Sequence, residues 1–103
     1  MAGKMNISNR YKIIQTIYYG DRKIILLEPV SIAEPLNNIY CVDENNNILW
    51  QVESVIEKFK NKTNMPYEGM SRQGHIITAA NYIGVSYDID IDTGKIVKSC
   101  IVK

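Results

Sequence analysis

Residues 83–96 read IGVSYDIDIDTGKI, and apolar residues alternate there with small or acidic ones up to a Thr-Gly pair. The apolar positions are Ile83, Val85, Tyr87, Ile89 and Ile91, and Asp88, Asp90 and Asp92 lie between or after them. A helix would need apolar residues three and four positions apart, whereas a strand places alternate residues on opposite faces. The stretch therefore predicts a β-strand with one buried face that runs into a hairpin turn at Thr93-Gly94.

The three aspartates also raise the question of a calcium loop. An EF-hand loop needs Gly at its sixth position and Glu at its twelfth, and counting from Asp88 these positions hold Thr93 and Ser99. In an extended strand the carboxylates spread over roughly 13 Å, at about 6.5 Å per two residues, which is too far to bind one ion. We expect no metal site here and no cofactor.

Strand-like runs of the same kind occupy most of the chain, and turn-prone Gly, Asn, Asp or Pro residues separate most of them. The runs cover 11–19, 22–28, 38–43, 47–53, 75–80, 83–92 and 95–102, with one more short strand at 67–73. One segment differs, because Val55, Ile56 and Phe59 fall at helical spacing after a Ser54–Glu57 capping-box pair. It predicts a short helical turn near 54–60.

Two parts of the chain resemble each other. Residues 38–50 (NIYCVDENNNILW) align with residues 86–98 (SYDIDIDTGKIVK), so that Asp43 matches Asp90 and Asn46 matches Gly94. Asn and Gly tolerate the positive φ that tight hairpins demand. The pattern predicts a single all-β domain, 1–103, with an internal repeat at about 1–53 and 65–103.

The repeated stretch is similar to the blade repeat of quinoprotein-type β-propellers, in which Tyr, an apolar residue and Asp precede Thr-Gly-Lys, two apolar residues and Trp. Tyr87, Asp90 and Thr93-Gly94-Lys95 match this pattern, with Lys98 at the Trp position, whereas Trp50 is present in the first copy. The resemblance implies two antiparallel, blade-like sheets of three to four strands. Because propeller rings have four to eight blades, we expect the sheets to pack as a sandwich or half-propeller, or copies to associate.

The order of segments also resembles a set of small, uncharacterised bacterial proteins. The shared features are YCVDENNNILWQ at 40–51, the Pro66-Tyr67 pair, and ANYIGVSYDIDIDTGKI at 80–96. The resemblance implies an immunity or anti-defence role and assigns no reaction.

Composition narrows the classes of function. The formal net charge is +1, so no global field favours nucleic acid or an anionic membrane, and no apolar run reaches the roughly 20 residues of a membrane span. Cys41 and Cys100 lack metal-ligand spacing, and His75 is the only histidine. We expect a cytoplasmic protein with reduced cysteines, and a Cys41–Cys100 disulfide is the alternative. We expect no catalytic residues; a small hydrolase using His75 and a cysteine is a lesser alternative.

Aromatic residues are the better indication of binding. Tyr18, Tyr19, Trp50, Tyr67 and Tyr82 lie at predicted strand ends or loops, and Tyr and Trp are enriched at interfaces because an apolar ring carries a polar tip. Their alternative role is to cover the edges of the core. The sequence thus predicts a non-catalytic module that binds another protein, such as a host or toxin factor, as an inhibitor or immunity-type protein. The alternative is a self-assembling structural module that forms a homo-oligomer.

Overall fold

The computed structural model describes residues 11–31, 34–55 and 65–101, and every element of regular structure in these ranges is a β-strand. The strands are β1 (Ile13–Tyr19), β2 (Arg22–Leu27), β3 (Ile39–Val42), β4 (Ile48–Gln51), β5 (Tyr67–Gln73), β6 (Ile76–Asn81), β7 (Val85–Asp90) and β8 (Ile96–Ile101). Each run predicted from the sequence overlaps one of them. The helical turn predicted near 54–60 lies mostly outside the described ranges, which here end at Val55, a residue in helical conformation.

The strands form two four-stranded sheets, in the orders β1-β2-β3-β4 and β5-β6-β7-β8, and every neighbouring pair is antiparallel. This confirms the all-β class and the two antiparallel sheets. Within the described ranges, no helix has the length and the apolar character needed to cross a membrane.

The sheets pack face to face across one shared core. Its buried residues include Ile24, Leu26, Ile39, Cys41 and Trp50 from the first sheet and Tyr67, Ile77, Ala79, Tyr87 and Ile89 from the second. In β6 and β7 they alternate with more exposed residues, as the period of two requires. Full burial of one large apolar side chain contributes about 1.5–3 kcal/mol, so this face is the main source of stability.

Strand β2 departs from the expected single buried face. Four consecutive residues, Ile24–Leu27, are buried, and Ile25 and Leu27 do not belong to the shared core. Since successive side chains point to opposite faces, the first sheet is covered on both sides at this strand. The single buried face predicted for the strand at 83–92 therefore does not extend to β2.

Two side-chain amides join the first sheet to the edge strand β5 of the second. The fully buried Asn38 donates from Nδ2 to the carbonyl oxygens of Leu27 and Tyr67, at 2.8 Å each, and its Oδ1 accepts from the Tyr67 N–H at 2.8 Å. Gln15 forms a similar pair with Met70, accepting from its N–H at 3.0 Å and donating to its carbonyl. Backbone groups at an exposed edge can pair with another chain, and these amides occupy them.

The β3–β4 and β7–β8 turns use the same local chemistry. A carboxylate oxygen of Asp43 accepts from the N–H groups of Asn45 and Asn47 at 2.8 and 2.9 Å, and Asp90 accepts from the Asp92 N–H at 2.8 Å. The predicted positive-φ residues follow, with Asn46 at 64° and Gly94 at 77°. Aspartate favours such turns because its side chain binds the backbone two residues later.

The bonds to Asp43 predict a pH dependence of stability. The backbone N–H of Asn47 lowers the pKa of Asp43 most, partial desolvation opposes it, and the Asn47 side chain and the Asn45 N–H lower it further. Because the folded pKa lies below the unfolded value of about 3.9, this stabilisation is present above that value and is lost as pH falls through the folded pKa. Asp43→Asn should therefore be less stable than the wild type at neutral pH and lose less stability on acidification.

Urea unfolding at a series of pH values measures this difference. Glu44→Gln is the matched control, because it removes one carboxyl from the exposed neighbouring position and so accounts for the change in net charge. If the free energy of unfolding of Asp43→Asn fell as steeply with falling pH as that of the wild type, the role assigned to the Asp43 carboxylate would be contradicted.

Candidate functional site

Three turns meet at one place on the surface, and each brings a polar side chain. Tyr19 ends β1 before the turn at Gly20, His75 lies in the β5–β6 turn after Gly74, and Asp92 lies in the β7–β8 turn. Gly20 and Gly74 both have a φ of 61°, which glycine adopts without steric cost in such tight hairpins. The turns thus place side chains from both sheets side by side.

Tyr19 connects the other two residues. Its hydroxyl lies 3.0 Å from His75 Nδ1 and donates to Asp92 Oδ1 at 3.2 Å. His75 Nδ1 lies 4.0 Å from Asp92 Oδ2, and the Tyr19 and His75 rings meet edge to face with centroids 6.0 Å apart. The His75 side chain is nevertheless 76% exposed, so the group is held in place and is open to solvent.

Arg72, at the end of β5, completes the group. Its guanidinium carbon lies 4.8 Å from the centroid of the Tyr19 ring, a cation–π distance. Its Nε donates to the Gly74 carbonyl at 2.8 Å, and one terminal nitrogen donates to the Tyr18 carbonyl at 3.3 Å. We call Tyr18, Tyr19, Arg72, His75 and Asp92 the turn cluster.

The surroundings of Tyr19 change its acidity. Its pKa is raised above the ordinary tyrosine value, first by partial desolvation and then by the hydrogen bond to Asp92 and the charge of that carboxylate. Arg72 and Arg22 oppose the shift. The phenol therefore stays protonated at neutral pH and keeps the hydrogen that it donates to Asp92.

The five aromatic residues predicted to bind a partner lie in different environments. Tyr18 is 70% exposed and Tyr19 partly exposed, and both belong to the turn cluster. Tyr82 is 49% exposed on the β6–β7 turn, at the opposite end of β6 from His75. Successive residues of a strand point to opposite faces, so the Tyr18 side chain lies on the other face of β1 from Tyr19. Tyr18 joins the turn cluster only through its carbonyl oxygen, and Tyr82 lies apart from both.

Trp50 and Tyr67 lie in the shared core. Trp50 is 9% exposed, and its Nε1 donates to the Ile91 carbonyl at 3.1 Å; Tyr67 is 1% exposed and packs edge to face on Tyr87. Burial raises the pKa of Tyr67, whose hydroxyl has no hydrogen-bond partner in the described part of the chain. Both residues therefore have the alternative, structural role, and we do not propose them as contact residues.

The cysteines do not combine with His75 among the described side chains. Cys41 is a free, fully buried thiol, and desolvation is the largest cause that raises its pKa. The reactive form of cysteine is the thiolate, which burial disfavours. Cys100 lies in β8, and its side chain is outside the described part of the structure.

The three aspartates of the opening stretch have separate roles. Asp88 accepts from Thr78 Oγ1 at 2.8 Å across β6 and β7, Asp90 closes its turn, and Asp92 joins the turn cluster. Asp88 and Asp90 are partly buried, so only Asp92 is fully on the solvent side. In the described ranges, no group of three or more His, Cys, Asp or Glu residues is arranged to hold a metal ion.

Sequence reasoning did not identify Arg72 or Asp92 as site residues. They are separated by 20 residues of chain and reach Tyr19 only because the second sheet packs on the first. The only local sequence signal for this site is the position of its turns, which Gly20, Gly74 and Gly94 indicate.

Comparisons with known proteins cover most of the chain. A family model described as "Domain of unknown function (DUF7957)" matches residues 2–100. No protein with a curated description is significantly similar to the sequence. Among solved structures, the chain is similar to the computationally designed Ika8 protein, with a TM-score of 0.61 and 9% sequence identity. The match covers 88% of this chain and 24% of that one, so this chain spans about a quarter of the designed protein's length. This likeness concerns the fold alone.

Proposed function

Because the chain belongs to the DUF7957 family, a domain of unknown function, we propose a role from the surface itself: a non-catalytic module that binds another protein through the turn cluster. The observation that carries the proposal is the fixed arrangement of Tyr19, Arg72 and His75, in which the Arg72 and His75 side chains are exposed. Tyr and Arg are among the residue types that are enriched at the energetic hot spots of protein interfaces.

The arrangement suits binding because its side chains are held before a partner arrives. Arg72 is stacked on Tyr19 and bonded to two carbonyls, and Tyr19 is bonded to Asp92. Ordering a free, rotamer-rich side chain at an interface costs about 0.5–1.5 kcal/mol. A cluster that is already ordered loses less of its interaction energy in this way.

The concrete form of the proposal is a cytoplasmic inhibitor or immunity-type protein that sequesters a host or toxin protein. Two observations support it. The sequence resembles small bacterial proteins, and Cys41 is a free, buried thiol, as is usual in a reducing compartment. The similarity of the two hairpins to propeller blades bears on the self-assembling alternative, in which copies would form a homo-oligomer.

Affinity capture from cells of the native host tests the proposal. The tagged wild-type chain is expected to retain one protein in near-equal molar amount. The double variant Tyr19→Ala, Arg72→Ala should lose it, because truncating a hot-spot residue of an interface costs about 2 kcal/mol or more. Tyr82→Ala is the matched control, since it removes an exposed tyrosine that lies outside the turn cluster.

Two outcomes would contradict the proposal. Loss of the captured protein in Tyr82→Ala with retention in the double variant would place binding away from the turn cluster. No captured protein, together with a solution mass of several chains at micromolar concentration, would favour the self-assembling alternative. Thermal unfolding of each variant shows that the loss is not a failure to fold.

A further inference from the structure

The Tyr19 hydroxyl has two neighbours and only one hydrogen to share between them. It lies 3.0 Å from His75 Nδ1 and 3.2 Å from Asp92 Oδ1, both within hydrogen-bond distance. A hydroxyl has one O–H donor and two acceptor lone pairs, so it can donate to one of these atoms and must accept from the other.

The chemistry of Asp92 decides between the two arrangements. An ionised carboxylate is only an acceptor, so a hydrogen between Asp92 and Tyr19 must come from the phenol. The opposite arrangement, with the phenol donating to His75, would leave two oxygens 3.2 Å apart with no hydrogen between them. His75 Nδ1 must therefore donate to the Tyr19 oxygen.

We infer that Tyr19 and Asp92 hold neutral His75 in the tautomer with its hydrogen on Nδ1, which leaves Nε2 as an outward acceptor for an N–H or O–H donor of a partner protein. In a neutral imidazole one nitrogen donates and the other accepts, and the bond made by one fixes the role of the other. The tautomer is a property of the chain without any partner, whereas the role of Nε2 in binding rests on the proposed function.

The rest of the turn cluster supports this orientation. Arg72 stacks on the ring of Tyr19, and its Nε donates to the carbonyl of Gly74, the residue directly before His75. One arginine thus holds the phenol that orients the imidazole and the turn that carries it. Tyr19 and Asp92 act as positioning residues, and His75 is the residue that meets the partner.

The tautomer can be measured directly by ¹⁵N NMR on the full chain. His75 is the only histidine, so its ring signals need no further assignment. In spectra recorded at about pH 8, the two ring nitrogens of a neutral imidazole have distinct shifts that report which one carries the hydrogen. The wild type is expected to show mainly the Nδ1–H form.

Tyr19→Phe is the decisive variant, since it keeps the ring under Arg72 and removes only the hydroxyl. The ratio of Nδ1–H to Nε2–H should fall by about fivefold, the effect of losing one typical hydrogen bond. Tyr82→Phe, which removes a hydroxyl away from the cluster, should leave the ratio unchanged. A backbone spectrum like that of the wild type shows that Tyr19→Phe is folded.

A wild-type spectrum dominated by the Nε2–H form, or a ratio that Tyr19→Phe does not change, would overturn the inference. The second measurement is the affinity for the captured partner, which Tyr19→Phe is expected to weaken by roughly three- to tenfold. Unchanged affinity would overturn the role of Nε2 as an acceptor in binding. Absence of any partner would refute the proposed function and leave the tautomer result standing by itself.

Discussion

Gly94→Ala is expected to lower the free energy of unfolding by about 3–5 kcal/mol, which would leave the domain largely unfolded at moderate temperature. A methyl group at this position would lie 2.5 Å from Trp50 Cε3 and 2.6 Å from Trp50 Cδ2. Trp50 cannot move aside easily, because its Nε1 is bonded to the Ile91 carbonyl and its ring lies in the shared core. The φ of 77° adds a cost of about 1–2 kcal/mol for any residue with a Cβ.

Urea unfolding followed by Trp50 fluorescence measures this loss, and Gly74→Ala is its control. Gly74 also has a positive φ, 61°, yet nothing lies within 4 Å of its added methyl group. The control should lose only about 1–2 kcal/mol, the backbone cost. Equal losses in the two variants would show that Trp50 does not pack on Gly94 as described.

Asn38→Ala is expected to destabilise the chain by about 3–5 kcal/mol, because it removes three hydrogen bonds from a fully buried amide. The Leu27 carbonyl and both backbone groups of Tyr67 would lose this partner, and an unsatisfied buried polar group costs about 1–3 kcal/mol. Equilibrium unfolding in urea is the measurement.

Gln15→Ala provides the matched comparison. Gln15 makes the same paired contact with the backbone of Met70, but that contact is only partly buried, so water can replace the lost groups. We expect a loss of about 1 kcal/mol. A loss as large as that of Asn38→Ala would mean that closure of the β5 edge, rather than burial, determines the cost.

The strands were predictable because their signal is local. In β7 the apolar Tyr87 and Ile89 are buried and the intervening Asp88 and Asp90 are more exposed, as their alternation predicts. Asn46 and Gly94 have the positive φ that their turns require. The same reasoning failed at β2, since a run of four apolar residues does not show whether one face or both are covered. It also could not separate Tyr18, which is exposed, from Trp50 and Tyr67, which are buried.

The sequence by itself determined the all-β class, the approximate strand bounds and the turns, because period-two alternation and positive-φ residues act over a few neighbouring positions. Only the tertiary structure decided that the aspartates of residues 88–92 have separate roles and that Asp92 meets Tyr19 and His75. The physical reason is that Tyr19 lies 56 positions from His75 and 73 from Asp92, and only the packing of one sheet on the other joins them. No local pattern encodes the packing of the sheets, so the turn cluster exists only in the folded chain.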